Sequence, residues 1–166
     1  MNVVLLEPEI PANTGNIGRT CVSTGTKLHL IRPLGFSLAE KELKRAGLDY
    51  WPKLDVAVYE DWNDFRSRNA GAAVWMATTK ARQVYTEVRY GPDDFLLFGK
   101  ESAGLPEELL AARPERCVRI PMLEGERSLN LSNAAAVALF EALRHIDYKG
   151  LEKYGELHRL TWQETE

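Results

Sequence analysis

Short apolar runs separated by polar, helix-patterned stretches recur along this chain, and their order predicts most of its architecture. Residues 2–6 are apolar at four successive positions after Asn2, as in a strand buried on both faces. Glu7-Pro8 and Pro11 end that run, and the apolar spacing over residues 13–24 predicts a helix. A second strand is expected at 27–31, closed by Pro33 and Gly35, and then a charged, exposed helix at 38–46 stopped by Gly47. Residues 56–59 form a weaker third strand, and Asp61 is placed to cap a short helix reaching Arg68. Continuous apolar runs at 72–77 and 95–98 predict two further buried strands. Pro106 suits the first turn of a helix ending at 112, residues 118–120 the last strand, and residues 133–147 the last long helix.

That last helix has one stripe of Ala136, Leu139, Phe140, Leu143 and Ile146 and a second of Ala134, Ala138 and Ala142. Two apolar stripes predict cover on two sides, by the chain's own sheet and by a partner subunit. Residues 150–166 read as a polar tail, with Tyr154 and Trp162 as candidate anchors. The alternation of strands and helices predicts one α/β domain over residues 1–166, an open, mainly parallel sheet with helices on both faces. Ligands of such sheets bind beyond the carboxyl ends of the strands, which singles out the loops after Leu6, Ala77, Phe98 and Ile120.

At 166 residues with 45% hydrophobic positions, the composition fits a single sizeable core. No apolar run approaches the roughly 18 residues of a membrane span, and no basic leader follows Met1, so a cytoplasmic protein without a membrane partner is expected. Cys21 and Cys117 lie far apart and His29, His145 and His158 are scattered, which predicts reduced, buried thiols and no metal site. The net charge of -3 gives no general attraction to nucleic acid, so phosphate binding must be local. Lys41, Lys44, Arg45 and Lys53 gather around Tyr50 and Trp51, with Lys80 and Arg82 further on. A solvated helix face is the commoner meaning of such a cluster.

Three loops carry candidate chemistry. Residues 121–133 interleave Leu129 and Leu131 with Ser128, Asn130, Ser132 and Asn133, a mixture suited to a flat aromatic ligand with polar edges. The plainer alternative is that Ser132 or Asn133 caps the following helix. Residues 98–106 combine Gly99 and Gly104, which permit close backbone approach, with the carboxylate of Glu101. Residues 11–19 resemble a dinucleotide-binding turn whose first glycine is replaced by Asn13. An NADP-binding oxidoreductase, with Arg32 taking the extra phosphate, is therefore an alternative.

Four motifs in order, Glu7-Pro-Glu-Ile-Pro-Ala-Asn-Thr-Gly-Asn16, Arg45-Ala-Gly-Leu-Asp-Tyr50, Phe98-Gly-Lys-Glu-Ser-Ala-Gly-Leu-Pro106 and Ser128-Leu-Asn-Leu-Ser-Asn133, resemble the SPOUT (α/β-knot) superfamily of RNA methyltransferases. Within it they are most similar to the small tRNA ribose 2'-O-methyltransferases of the anticodon wobble nucleotide. The resemblance covers nearly the whole chain. It implies a C-terminal deep trefoil knot, a homodimer, and S-adenosyl-L-methionine held by Ala77, Thr78, Gly99, Ile120, Met122, Ser128 and Leu129. It further implies an essential Arg19, either taking the proton of the ribose 2'-hydroxyl or stabilising the forming alkoxide and adjacent phosphate. Glu101 and Asn130 would orient that arginine or the ribose, while Asn13, Asn16, Lys41, Lys44, Arg45 and Lys80 are candidate contacts to the tRNA anticodon stem-loop. A ribose methyltransferase of another RNA such as rRNA, and a non-catalytic RNA-binding module, remain alternatives on this fold.

Overall fold

The computed structural model describes residues 1–39 and 50–163. Among these residues six strands form one sheet: β1 (Asn2–Leu6), β2 (Lys27–Ile31), β3 (Val56–Tyr59), β4 (Val74–Ala77), β5 (Phe95–Phe98) and β6 (Cys117–Val118). Their spatial order is β3-β2-β1-β5-β4-β6, and every pairing is parallel. The helices are α1 (Pro11–Thr24), α2 (Trp62–Arg68), α3 (Glu107–Ala111) and α4 (Leu131–His145). The helix expected at 38–46 lies outside the described residues, as do Lys41, Lys44 and Arg45.

Both faces of the central strands are covered, which is why their sequences read as unbroken apolar runs. In β1, Val3 and Leu5 enter one core cluster with Ile17 of α1 and Leu139 of α4. Val4 and Leu6 enter the other, with Phe65 of α2 and Leu110 of α3. A buried histidine ties the sheet together at β2: His29 Nδ1 lies 2.8 Å from the Tyr59 hydroxyl and Nε2 3.1 Å from Asn2 Oδ1. Burial pushes its pKa down to about 4, the neutral form being the one that the apolar surroundings tolerate.

Element boundaries differ from the sequence expectation where proline or a cap decides them. α1 begins at Pro11 rather than Asn13, because proline lacks only a donor that the first turn cannot use. Pro106 stands just before α3, extended at ψ 138°, rather than inside its first turn. Asp61 caps α2 as expected, accepting from the Asp64 N–H at 2.8 Å. β4 starts at Val74, not 72, and the last strand is Cys117–Val118, leaving Ile120 beyond its end.

α4 also starts earlier, at Leu131, and its cap is Asn130 rather than Ser132 or Asn133. The helix packs on α1 and β5. Its buried face is Ala135, Ala138, Leu139, Ala142 and Leu143. Phe140, expected in a covered stripe, is 48% exposed, and Val137 is 39% exposed. Residues 152–163 have no regular structure, and Tyr154 and Trp162 are exposed rather than anchored. Among the described residues no helix is long and apolar enough to cross a membrane.

Candidate active site

A cavity of about 420 Å³ opens beyond the carboxyl ends of β4 and β5, where a parallel sheet of this order leaves room for a ligand. Its walls come from distant parts of the sequence. Ala77 and Thr78 leave β4, Gly99 leaves β5, and Ile120, Met122, Ser128 and Leu129 return from the edge strand β6. The return path is fixed by the long β4–β5 connection. Thr78 N–H donates to Val118 O at 2.9 Å, Arg119 N–H to Gln83 O at 3.0 Å, and Tyr85 N–H to Arg119 O at 2.9 Å. Ile120 is thereby delivered to the cavity immediately after the sheet ends.

Gly99 shows how tightly one wall is made. A Cβ there would stand 2.1 Å from the Gly104 carbonyl carbon, so no other residue fits without opening the loop. Gly104 N–H closes the loop by donating to Lys100 O at 2.8 Å.

One end of the cavity is braced by a chain of polar side chains. Glu101 accepts from the Glu9 N–H at 2.8 Å, the Ile10 N–H at 3.2 Å and Asn13 Nδ2 at 2.9 Å. Asn13 Oδ1 in turn accepts from Asn130 Nδ2 at 2.9 Å, and Asn130 Oδ1 receives the N–H groups of Ser132 and Asn133. Three loops are thus joined through one carboxylate and two amides. Placing that carboxylate before the first turn of α1 also sets negative charge at the positive end of a helix.

A second set of contacts runs alongside. Glu9 accepts from the Ser102 N–H and hydroxyl, both at 2.8 Å, and these bonds hold its carboxyl below the usual range. The Lys100 ammonium lies 2.9 Å from Glu7, a hydrogen bond that raises the lysine pKa. Glu7, Glu9, Ser102 and Lys100 were not singled out from sequence. The signal was available in the alternation of acidic residues at 7 and 9 facing the Lys-Glu-Ser run at 100–102, but only the β1–β5 pairing brings the two loops together.

The structure brings together Asn13, Ala77, Thr78, Lys80, Gly99, Glu101, Ile120, Met122, Ser128, Leu129 and Asn130 around this cavity. Arg19 and Asn16 do not line it. Arg19 is exposed on α1, six residues past Asn13 and so about 9 Å along the axis, with its guanidinium 5.7 Å from the Tyr50 ring. Asn13, expected to touch substrate, is 6% exposed, and its amide is occupied at both ends by Glu101 and Asn130. Lys80, at the rim, pairs with Glu107 at 2.7 Å and holds that carboxyl below its ordinary range.

The dinucleotide-turn alternative fails on the same geometry. Asn13, Gly15 and Gly18 lie inside α1, and a Cβ at Gly18 would meet the Leu54 side chain at 3.2 Å, so that glycine serves helix packing rather than phosphate approach. Arg32 lies on the surface, 3.7 Å from Glu60. Cys21 and Cys117 are free and buried, burial pushing the Cys21 thiol up to about 12. Among the described residues no group of three or more His, Cys, Asp or Glu is arranged to hold a metal ion.

The SpoU rRNA Methylase family matches residues 1–140, a span containing every wall of the cavity. The chain belongs to that family. A tRNA (cytidine(34)-2'-O)-methyltransferase of Methylovorus glucosotrophus is 49% identical over 150 residues, 90% of this chain and 97% of the relative. A solved structure described as giving insight into 2-OH methylation of C/U34 on tRNA superposes with a TM-score of 0.81 at 46% identity, over 88% of this chain and 95% of that one. A less similar solved structure, an AdoMet-bound rRNA methyltransferase from Sinorhizobium meliloti, gives a TM-score of 0.75 at 32% identity, over 87% of this chain and 56% of its own.

The cavity fits the methyl donor of a SpoU methylase. Its apolar side chains, Ile120, Met122 and Leu129, can cover the faces of an adenine, and the strand-end backbone groups around Ala77 and Gly99 can meet its polar edge. The close Gly99–Gly104 approach leaves that backbone bare of side chains.

Proposed function

We propose that this protein methylates the ribose 2'-hydroxyl of the wobble nucleotide, cytidine or uridine, in the tRNA anticodon stem-loop, using S-adenosyl-L-methionine. The observation that carries this reading is the cavity itself, walled by three returning loops and braced by Glu101, Asn13 and Asn130 at the end nearest α1. Its position in a SpoU fold nearly half identical to enzymes named for nucleotide 34 supports the choice of substrate.

When bound there, S-adenosyl-L-methionine supplies a methyl group activated by its sulfonium. The chain's own residues supply alignment. Ala77, Thr78, Gly99, Ile120, Met122, Ser128 and Leu129 hold the donor through backbone groups and apolar cover. Glu101 acts by fixing the first loop, and Asn130 by fixing the start of α4, so that the rim facing the ribose keeps one shape. Arg19, outside the cavity on the exposed side of α1, binds the phosphate beside the reacting sugar, since a guanidinium is a poor proton acceptor but a strong planar donor. Lys80 meets RNA by exchanging its Glu107 pairing for a phosphate, and Asn16, exposed on the same stretch of α1 as Arg19, contacts the stem-loop.

The exposed Val137 and Phe140, one turn apart on the outer face of α4 between the exposed Asn133 and Arg144, support a homodimer in which a second copy covers that face. The passage of residues 119–130 from the sheet edge back to α4 on β5 supports the trefoil threading of this fold. A single domain acting on cytoplasmic tRNA completes the reading.

The test is methyl transfer from labelled S-adenosyl-L-methionine to anticodon stem-loops. Label should enter a stem-loop with C or U at position 34 and be absent when that nucleotide carries a 2'-deoxyribose. Label on the base, or undiminished label in the deoxy substrate, refutes it. Arg19→Lys keeps the charge and loses the fork, and is expected to lower kcat about a hundredfold while leaving S-adenosylhomocysteine binding intact.

A further inference from the structure

A second cavity, of about 330 Å³, lies between α2 and α3 against the face of β4, away from the loops that wall the first. Its floor is apolar, with Val74, Met76 and Leu109. Its rim carries Trp62, Arg113 and the guanidinium of Arg66, which donates to Ala72 O at 3.5 Å; Arg116 borders it, but its own guanidinium lies over Trp75, on the other face of β4 from Val74 and Met76. Arg66 is further steadied by an aromatic ring, lying 5.9 Å from Trp62. Such contacts hold a guanidinium in place without neutralising it.

None of the three arginines forms an ion pair among the described residues. The carboxylates of the flanking helices are engaged elsewhere: Asp61 caps α2, Asp64 pairs with Arg68 at 3.3 Å, and Glu107 pairs with Lys80 at 2.7 Å. Glu108 and Glu115 do not line the cavity. In a protein of net charge -3, two guanidiniums without an ion pair beside an apolar slot form a local exception to the overall field. An apolar slot takes a base, an indole edge extends it, and a rim of planar donors takes phosphate.

We propose that this cavity seats a nucleotide of the substrate RNA outside the reacting one, its base on the Val74–Met76–Leu109 floor and its phosphates on Arg66 and Arg113. The two cavities are neighbours on β4, where Met76 lines the second and Ala77 the first. They also share α3, whose Glu107 pairs with Lys80 at the first rim while Leu109 lines the second. A helix of five residues is about 7.5 Å long, so a strand crossing it reaches both. The inference rests on the proposed RNA substrate but does not require methyl transfer.

The test uses the full chain, fluorescence anisotropy with a labelled anticodon stem-loop, and calorimetry with S-adenosylhomocysteine. Arg66→Gln/Arg113→Gln is expected to weaken RNA binding about tenfold or more. It should also flatten the dependence of log affinity on log salt by up to about 1.4, at roughly 0.7 per single-strand phosphate contact. Arg116 is left in place because it covers Trp75. Ala112→Phe, which narrows the slot and keeps every charge, should weaken binding about fivefold with the salt slope unchanged. Both variants should bind S-adenosylhomocysteine as the parent does, which shows them folded.

RNA affinity within twofold of the parent in both variants overturns the proposal. So does displacement by cytidine monophosphate that is lost in the double variant while RNA affinity is kept, which would assign the cavity to a free nucleotide. A parent that binds RNA here but transfers no methyl group refutes the proposed activity and leaves this site standing.

Discussion

The two cavities that flank β4 are built on opposite principles. Around the first, the polar side chains of the brace are bonded to one another: Glu101 to three donors, Asn13 to Glu101 and Asn130, and Asn130 to two backbone N–H groups of α4. Around the second, Arg66, Arg113 and Arg116 form no ion pair among the described residues. The first holds a shape and presents backbone to its ligand. The second presents charge beside an apolar floor. The difference teaches where each kind of specificity resides: a donor recognised by backbone contour needs rigid loops, whereas an RNA strand recognised by its phosphates needs only guanidiniums left unpaired.

The sharpest way to break that contrast is Gly99→Ala. With a Cβ 2.1 Å from Gly104, the loop must open, and S-adenosylhomocysteine binding in calorimetry should fall at least about a hundredfold. RNA binding, measured by anisotropy, should fall far less, because the arginine rim is untouched. Equal loss of both would show the two cavities to be one unit.

Glu101→Gln should have a smaller effect. It retains volume, but one amide oxygen cannot serve three donors, and the amide NH2 faces N–H groups. A stability loss of about 2–3 kcal/mol is expected in urea unfolding, as for charge-assisted hydrogen bonds left unmade, with weaker donor binding as the first loop loosens. Glu101→Asp should recover only part, its carboxylate falling short of the Glu9 and Ile10 N–H groups.

A last effect concerns neither cavity and serves as a control on the sheet that carries both. His29 is held neutral by burial, with a pKa of about 4 against an ordinary 6.5. Between those values the unfolded chain binds a proton that the folded one refuses, so stability should fall as pH drops from 6.5 towards 4. Above 6.5 the ring is neutral in both states and contributes no slope. His29→Gln should flatten the urea midpoint across that window, and donor affinity at pH 7.5 should be unaffected.

Much of this was legible in the order of residues. The strand at Phe95–Phe98, the capping role of Asp61 and the importance of the 98–106 and 128–133 loops follow from patterns confined to a few neighbouring positions. Asn130 shows where local reading stops. A helix starting at Asn133 was expected, yet it starts at Leu131 with Asn130 as its cap, and the same side chain donates to Asn13, 117 residues away, which no local pattern shows. Asn13 was read as a substrate contact for a similar reason: sequence showed a polar residue near a ligand loop, not the two partners that occupy it.

By itself, then, the sequence determined which of the described segments are strands and helices, which glycines must stay bare, and that the carboxyl-edge loops matter, because hydrophobic period and turn chemistry are properties of adjacent residues. Tertiary structure alone decided that Glu101, Asn13 and Asn130 form one brace, that Arg19 and Asn16 stand apart from it, and that Arg66 of α2 and Arg113 share one rim. Those outcomes depend on the sheet order β3-β2-β1-β5-β4-β6, which sets the distance between loops far apart in the chain and so selects which polar groups meet and which stay open to a ligand.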